Sequence, residues 1–208
     1  MSPAGLYVCL YNNMDYKKYI FPIDSTTDGS GVLVGNLFIT AGHVIKMSVK
    51  PAVIINGKSY TLEDALFLDT NDEKRSDGFD LAIFHLNDVN SPLKLSTDVL
   101  SIGNNLLSCS YRHVVIGDAS TASTNIFCSA IKEDWVFEER IGTIINFYDN
   151  YFDCQFEESL SRGSSGSPIL NGDKVYGILY GDKEGKNSSN TVLYLSSKVI
   201  VDLLENKN

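Results

Sequence analysis

At 208 residues, 43% hydrophobic and 21% charged, the chain has the balance of a soluble globular protein with room for one large domain or two small packed ones. Its 26 acidic residues outnumber 17 basic ones, for a formal net charge of -9 that repels phosphate backbones and anionic lipid, so nucleic acid and membranes are not expected partners. No apolar stretch is long enough to span a bilayer, and Met1 to Gly5 lacks a basic segment leading into an apolar one, so no secretory signal is expected.

In chain order, strand signals dominate. Gly5 to Tyr11 and Lys18 to Ile23 are rich in aromatic and branched residues, with Pro22 marking the second as an edge or an end. Gly31 to Thr40 reads as two strands joined at Gly35-Asn36. Ala52 to Ile55 and Lys58 to Leu62 flank Asn56-Gly57, the strongest hairpin signal in the chain. A charged loop, Asn71 to Asp77, precedes the apolar strand Asp80 to Leu86. The weakly periodic stretch from Asn87 to Asn105 holds Pro92, which divides the chain into domains 1–90 and 107–208 with a linker at 91–106.

Further strands are expected at Arg112 to Ile116, Asn125 to Ile131, Gly142 to Tyr148, Tyr151 to Phe156, Val175 to Tyr180 and Thr191 to Leu195. Only Ser197 to Glu205 has helical spacing, with Val199, Ile200, Leu203 and Leu204 on one face and Ser196 or Ser197 as cap. Many short strands with one terminal helix predict an all-β sandwich or barrel protein. The lack of βαβ alternation argues against an α/β-hydrolase. Cys9, Cys109, Cys128 and Cys154 are scattered, with no pair at metal-ligand or redox spacing, and read as buried free thiols in a reducing compartment. Asn187-Ser188-Ser189 matches a glycosylation sequon and reads as a polar loop.

Ser161 to Leu170 is the stretch with chemistry in it. Ser165 sits on a turn flanked by Gly163 and Gly166, followed by an apolar run. Such a turn presents one hydroxyl while backbone N–H groups converge beside it, an arrangement suited to a developing negative charge. A serine hydroxyl needs a base to take its proton and a third group to orient that base. Of the three histidines, His85 and His113 read as strand-face residues, whereas His43 ends a strand among small residues that clear space around its ring. Asp80 opens an apolar strand, where burial would demand a partner such as an imidazole N–H; Asp72 and Asp77 belong to the charged loop and are weaker candidates.

Ile39-Thr40-Ala41-Gly42-His43-Val44, Phe79-Asp80-Leu81-Ala82-Ile83 and Gly163-Ser164-Ser165-Gly166-Ser167-Pro168 occur in that order. With Gly29-Ser30-Gly31 ahead of the first hairpin, they resemble the signature blocks of chymotrypsin-like serine proteases, from about Gly29 to Leu195. The resemblance implies two packed antiparallel six-stranded barrels with a cleft between them. It implies His43 as general base and acid, Asp80 as its orienting partner, Ser165 as nucleophile, and the N–H groups of Gly163 and Ser165 as oxyanion hole.

Neither cofactor nor metal is expected, and the implied partner is a polypeptide substrate. Ser164 replaces the aspartate that secreted digestive members carry before the nucleophile, so zymogen activation of that kind is not expected. The compact form looks more like intracellular members, either RNA-virus polyprotein proteases or small bacterial and phage relatives. A cytoplasmic location follows as an expectation, in the host cytoplasm for a viral protein.

Ser159 falls where an aspartate selects basic residues, and Leu179 where many viral relatives place a histidine. With Leu160, Tyr180 and Gly181 they form the expected pocket, favouring a bulky or neutral residue before the cut over Gln or Glu. Gly177 and Gly181 suit pairing with a substrate strand. Two other functions fit the same blocks: a double-barrel binding module that has lost turnover, and an esterase using the same triad.

Overall fold

The computed structural model describes residues 14–24, 28–70, 79–116, 132–182 and 190–206. The strands expected at 5–11 and 125–131, the acids Asp72 and Asp77, Cys9, Cys128 and the Asn187 sequon lie outside these residues. The first half builds β1 (Ile20–Asp24), β2 (Ser30–Val34), β3 (Leu37–Thr40), α1 (Gly42–Lys46), β4 (Ala52–Ile55), β5 (Lys58–Thr61), β6 (Phe67–Asp69) and β7 (Leu81–His85). The second builds β8 (Lys94–Leu95), β9 (Asn105–Ile116), β10 (Lys132–Phe147), β11 (Tyr151–Phe156), β12 (Pro168–Asn171), β13 (Lys174–Asp182), β14 (Thr191–Ser196) and α2 (Ser197–Glu205).

The turns form where the sequence predicts them. Asn56 and Gly57 both take positive φ, 51° and 78°, the geometry whose twist matches a two-residue hairpin between β4 and β5. Gly35, at φ 55°, turns β2 into β3. The first sheet runs β5-β4-β1-β2-β3-β7-β6, a half-barrel among the described residues. The second runs β12-β9-β10-β11-β14-β13, and a β12–β13 pairing closes it into a six-stranded barrel, with β8 added in parallel on β13. Double-barrel architecture and terminal helix are thus as expected.

Four local placements differ from the sequence expectation. Pro22 sits in a strand flanked on both sides, where Ile20 to Pro22 pair with β2 and Ile23 and Asp24 pair with β4. Its missing N–H falls at the change of partner, where no ladder bond is lost. His43 lies in α1 and not at a strand end. The charged stretch 132–140 is strand, because every residue of β10 from Lys132 to Thr143 pairs with β9. Within the expected linker, β8 already belongs to the second sheet.

Three apolar clusters hold this together. Phe38, Leu33, Val53 and Phe84 fill the first sheet, and Ile144, Phe152, Ile169 and Tyr194 fill the second barrel. The third joins them, taking Ile20, Val32, Ile39 and Ile83 from one side and Cys109, Leu170, Ile178 and Leu195 from the other, with Ile200 of α2. That seam fixes one sheet against the other, and the candidate site is built from residues on both.

Candidate active site

Both oxygens of Asp80 are engaged by a single residue. His43 Nδ1 lies 2.5 Å from Asp80 Oδ2, and the His43 backbone N–H donates to Oδ1 at 2.6 Å. Asp80 is 4% exposed and the His43 side chain 34%, so the carboxylate is sequestered while the ring keeps an open face. A carboxylate buried this deeply is held by those two contacts, since burial without partners would be strongly unfavourable. Gly42 makes the geometry possible, because a Cβ there would collide with the Asp69 carbonyl and approach Leu81 N to 3.0 Å. Asp69 in turn accepts the Phe79 N–H at 3.2 Å, fixing the residue before Asp80. Tyr151 of β11 packs alongside; burial first, then Tyr180 and Asp80, push its phenol up to about 12, while a hydrogen bond with the Asp80 backbone pulls the other way.

Ser165 comes from the second barrel on a turn bolted to the first. Ser30 N–H donates to the Ser165 carbonyl at 2.8 Å. The buried Ser30 hydroxyl donates to the Gly163 carbonyl at 2.8 Å and accepts the Tyr111 N–H at 3.0 Å, so one side chain joins the turn, β2 and β9. Gly166, at φ 82°, lies so close to the first sheet that a Cβ would strike Thr40 Oγ1 and Ser30 O. Ser164 turns its buried hydroxyl to Ser110 at 3.2 Å, and Ser167 is fully buried, so Ser165 is the partly exposed serine of the three.

Within the turn, the N–H groups of Ser164, Gly166 and Ser167 donate to the carbonyls of Ser161, Leu179 and Ser164. Among the described residues, those of Gly163 and Ser165 have no acceptor. Gly163 takes φ 95°, and a Cβ there would come within 2.8 Å of Tyr111 O. These two open donors stand two residues apart on the turn, and converging backbone N–H groups are the kind of donor an oxyanion needs. No hydrogen bond joins Ser165 to His43 among the described residues, and such bonds are often long before a substrate is bound.

Of the expected pocket residues, Ser159 and Leu160 are half-buried on the segment before the turn, and Tyr180 and Gly181 are half-buried on β13. Leu179 is 3% exposed inside the second barrel's core, with Leu160 packed partly against the same cluster. Among the described residues, nothing lies within 4 Å of where a Gly181 Cβ would stand. His85 is exposed and bonds Asn36 at 2.7 Å, away from the pair. Sequence reasoning missed Ser30, Asp28 and Arg162, all of which contact the turn or its neighbours. Only the Gly29-Ser30-Gly31 block signalled any of them.

No family model matches the chain, and no curated sequence does. Solved structures do. The active form of the Rv3671c protease from M. tuberculosis superposes with a TM-score of 0.66 at 14% identity, over 91% of this chain and 81% of that one. The scabies mite inactivated protease paralogue S-I1 gives 0.64 at 15%, over 92% and 94%. Kallikrein-related peptidase 10, in complex with Zn2+, gives 0.61 at 14%, over 92% and 97%. The fold is therefore that of the chymotrypsin-like serine proteases, a class that here includes both working and inactivated members.

Proposed function

We propose that the chain is a serine endopeptidase that cuts polypeptides through an acyl-enzyme. The observation that carries the reading is the His43–Asp80 pair, in which a sequestered carboxylate grips the ring at Nδ1 and the backbone at N. His43 takes the Ser165 proton as Ser165 Oγ attacks the scissile carbonyl. The carbonyl oxygen, now negative, is received by the N–H groups of Gly163 and Ser165. His43 then protonates the leaving amine, and water repeats the sequence in reverse to release the acid. Asp80 keeps the imidazole in the productive tautomer and stabilises its charged form. The substrate lies as a strand along Tyr180 and Gly181. Ser159 and Leu160 offer no charge to the residue before the cut, so a neutral, apolar side chain is favoured there.

A binding module without turnover is the second reading, favoured by the inactivated scabies mite paralogue, which superposes about as well as the active Rv3671c protease. Incubating the protein and its Ser165→Ala variant with a proteome-derived peptide library, and mapping cuts by mass spectrometry, separates the two. Cuts made only by the Ser165 form, after apolar residues, are the expected result. No Ser165-dependent cut overturns the endopeptidase.

A further inference from the structure

Behind the turn lies a second His–Asp pair, which the triad does not use. Asp28, in the segment between β1 and β2, is 10% exposed. Its Oδ1 lies 3.2 Å from His113 Nδ1 on β9, and its Oδ2 lies 2.6 Å from Arg162 Nε on the turn itself. The contact to Arg162 is electrostatic, because Oδ2 has no donor in hydrogen-bonding alignment. The His113 ring packs on Trp135 with centroids 5.0 Å apart and is 14% exposed, so it offers Asp28 a fixed partner. One carboxylate from the first half of the chain thereby holds two residues of the second.

Those two residues also meet through their backbones: His113 N–H donates to the Arg162 carbonyl at 3.4 Å. That carbonyl belongs to the same peptide unit as the Gly163 N–H. The unit is planar and trans, so its C=O and N–H point in opposite directions, and fixing one fixes the other. The backbone bond is long, hence weak by itself. The Gly163 φ of 95° is open to glycine alone, so this residue has more freedom to rotate the unit than any other would. Something has to hold the plane, and Asp28 is the group that clips the side chains on both ends of the weak bond.

We propose that Asp28 is a positioning residue for the oxyanion hole: by gripping His113 and Arg162 it sets the peptide plane that aims the Gly163 N–H. The inference rests on the endopeptidase reading and adds to it a residue outside the triad. It also gives a role to Asp28 in a chain where Ser164 stands in place of an acid next to the nucleophile. The Ser164 hydroxyl, bonded to Ser110, carries no charge with which to brace the turn.

The experiment compares wild type, Asp28→Asn and Arg162→Ala on a cleaved peptide, with a peptide aldehyde and the matching peptide alcohol as inhibitors. The aldehyde forms a hemiacetal with Ser165 whose oxygen needs the hole; the alcohol has no carbonyl to place there. Loss of one oxyanion donor costs about 10²- to 10³-fold in kcat, so Asp28→Asn is expected to lower kcat by about 10²-fold with KM nearly unchanged. Aldehyde binding weakens in step while alcohol binding holds.

Arg162→Ala removes a side chain that is 82% exposed, so it leaves the fold intact and is expected to shift kcat and aldehyde binding the same way by a smaller factor. It decides the matter if Asp28→Asn fails to fold. Unchanged kcat in the folded variants, or equal loss of aldehyde and alcohol binding, overturns the proposal. A wild type that neither cleaves nor forms the hemiacetal overturns the endopeptidase reading, and this one with it.

Discussion

Asp80 gives both carboxylate oxygens to His43, and the amide of Asn can reproduce only one of those contacts. Asp80→Asn keeps an acceptor for the His43 N–H but presents an NH2 group to Nδ1, favouring the wrong tautomer. Activity is expected to fall by roughly 10⁴-fold, the size of effect found when the orienting acid of a Ser-His-Asp triad becomes an amide. A thermal melt close to wild type, with kcat measured on the same sample, checks it. Gly166→Ala acts differently, by pushing a Cβ into Thr40 and Ser30 at a positive φ. It is expected to lose roughly 1–3 kcal/mol of stability and to fall in activity as the turn shifts off the first sheet, read by denaturant unfolding. The His43–Asp80 pairing and the turn that carries Ser165 were legible because each of these residues stands in a short block whose small residues and glycines announce the geometry. Asp28, Arg162 and His113 were not, since their contacts are long-range ion pairs and leave no spacing signal.

At the scale of elements, turn chemistry was the most readable feature. Asn56-Gly57 forms the hairpin it predicts, and no described residue lies within 4 Å of where a Gly57 Cβ would stand, so Gly57→Ala tests backbone strain. A cost of roughly 1–2 kcal/mol with unchanged kcat is expected, measured by denaturant midpoint beside a peptide assay. Helix α2 likewise runs from Ser197 to Glu205 as its apolar spacing indicates, with Ile200 fully buried. Strand β10 was hidden because Glu133, Asp134, Glu138, Glu139 and Arg140 interrupt its apolar residues. What makes it a strand is pairing along β9, together with the ion pairs of Glu138 to Arg112 at 3.0 Å and to Arg140 at 3.4 Å. Glu138 also accepts the Ser161 hydroxyl at 3.0 Å, which ties this strand to the segment entering the nucleophile turn. Helix α1 was unreadable for a simpler reason, since five residues are too few for periodicity.

Across the whole molecule, the seam between the two sheets decides how the candidate site is assembled, because His43 and Asp80 stand on one side and Ser165 on the other. Cys109 is buried in that seam and Cys154 in the second barrel, and burial raises both thiols, Cys154 to about 12. In the unfolded chain a thiol titrates near 9, so the folded state binds more protons above that pH. Stability from these thiols is therefore complete below about pH 9 and lost as pH rises toward about 12, and Cys154→Val is expected to flatten that alkaline fall in denaturant midpoint. The double barrel was legible from strand counts and block order, whereas the half-barrel that the first sheet makes among the described residues was not, because closure depends on pairings that no local pattern encodes. The most direct test of the account is to treat the protein with a fluorophosphonate and read the intact mass. A single adduct on Ser165, lost in Ser165→Ala and strongly slowed in His43→Ala, is the predicted result. An unlabelled wild type, or labelling that is indifferent to His43, would contradict it.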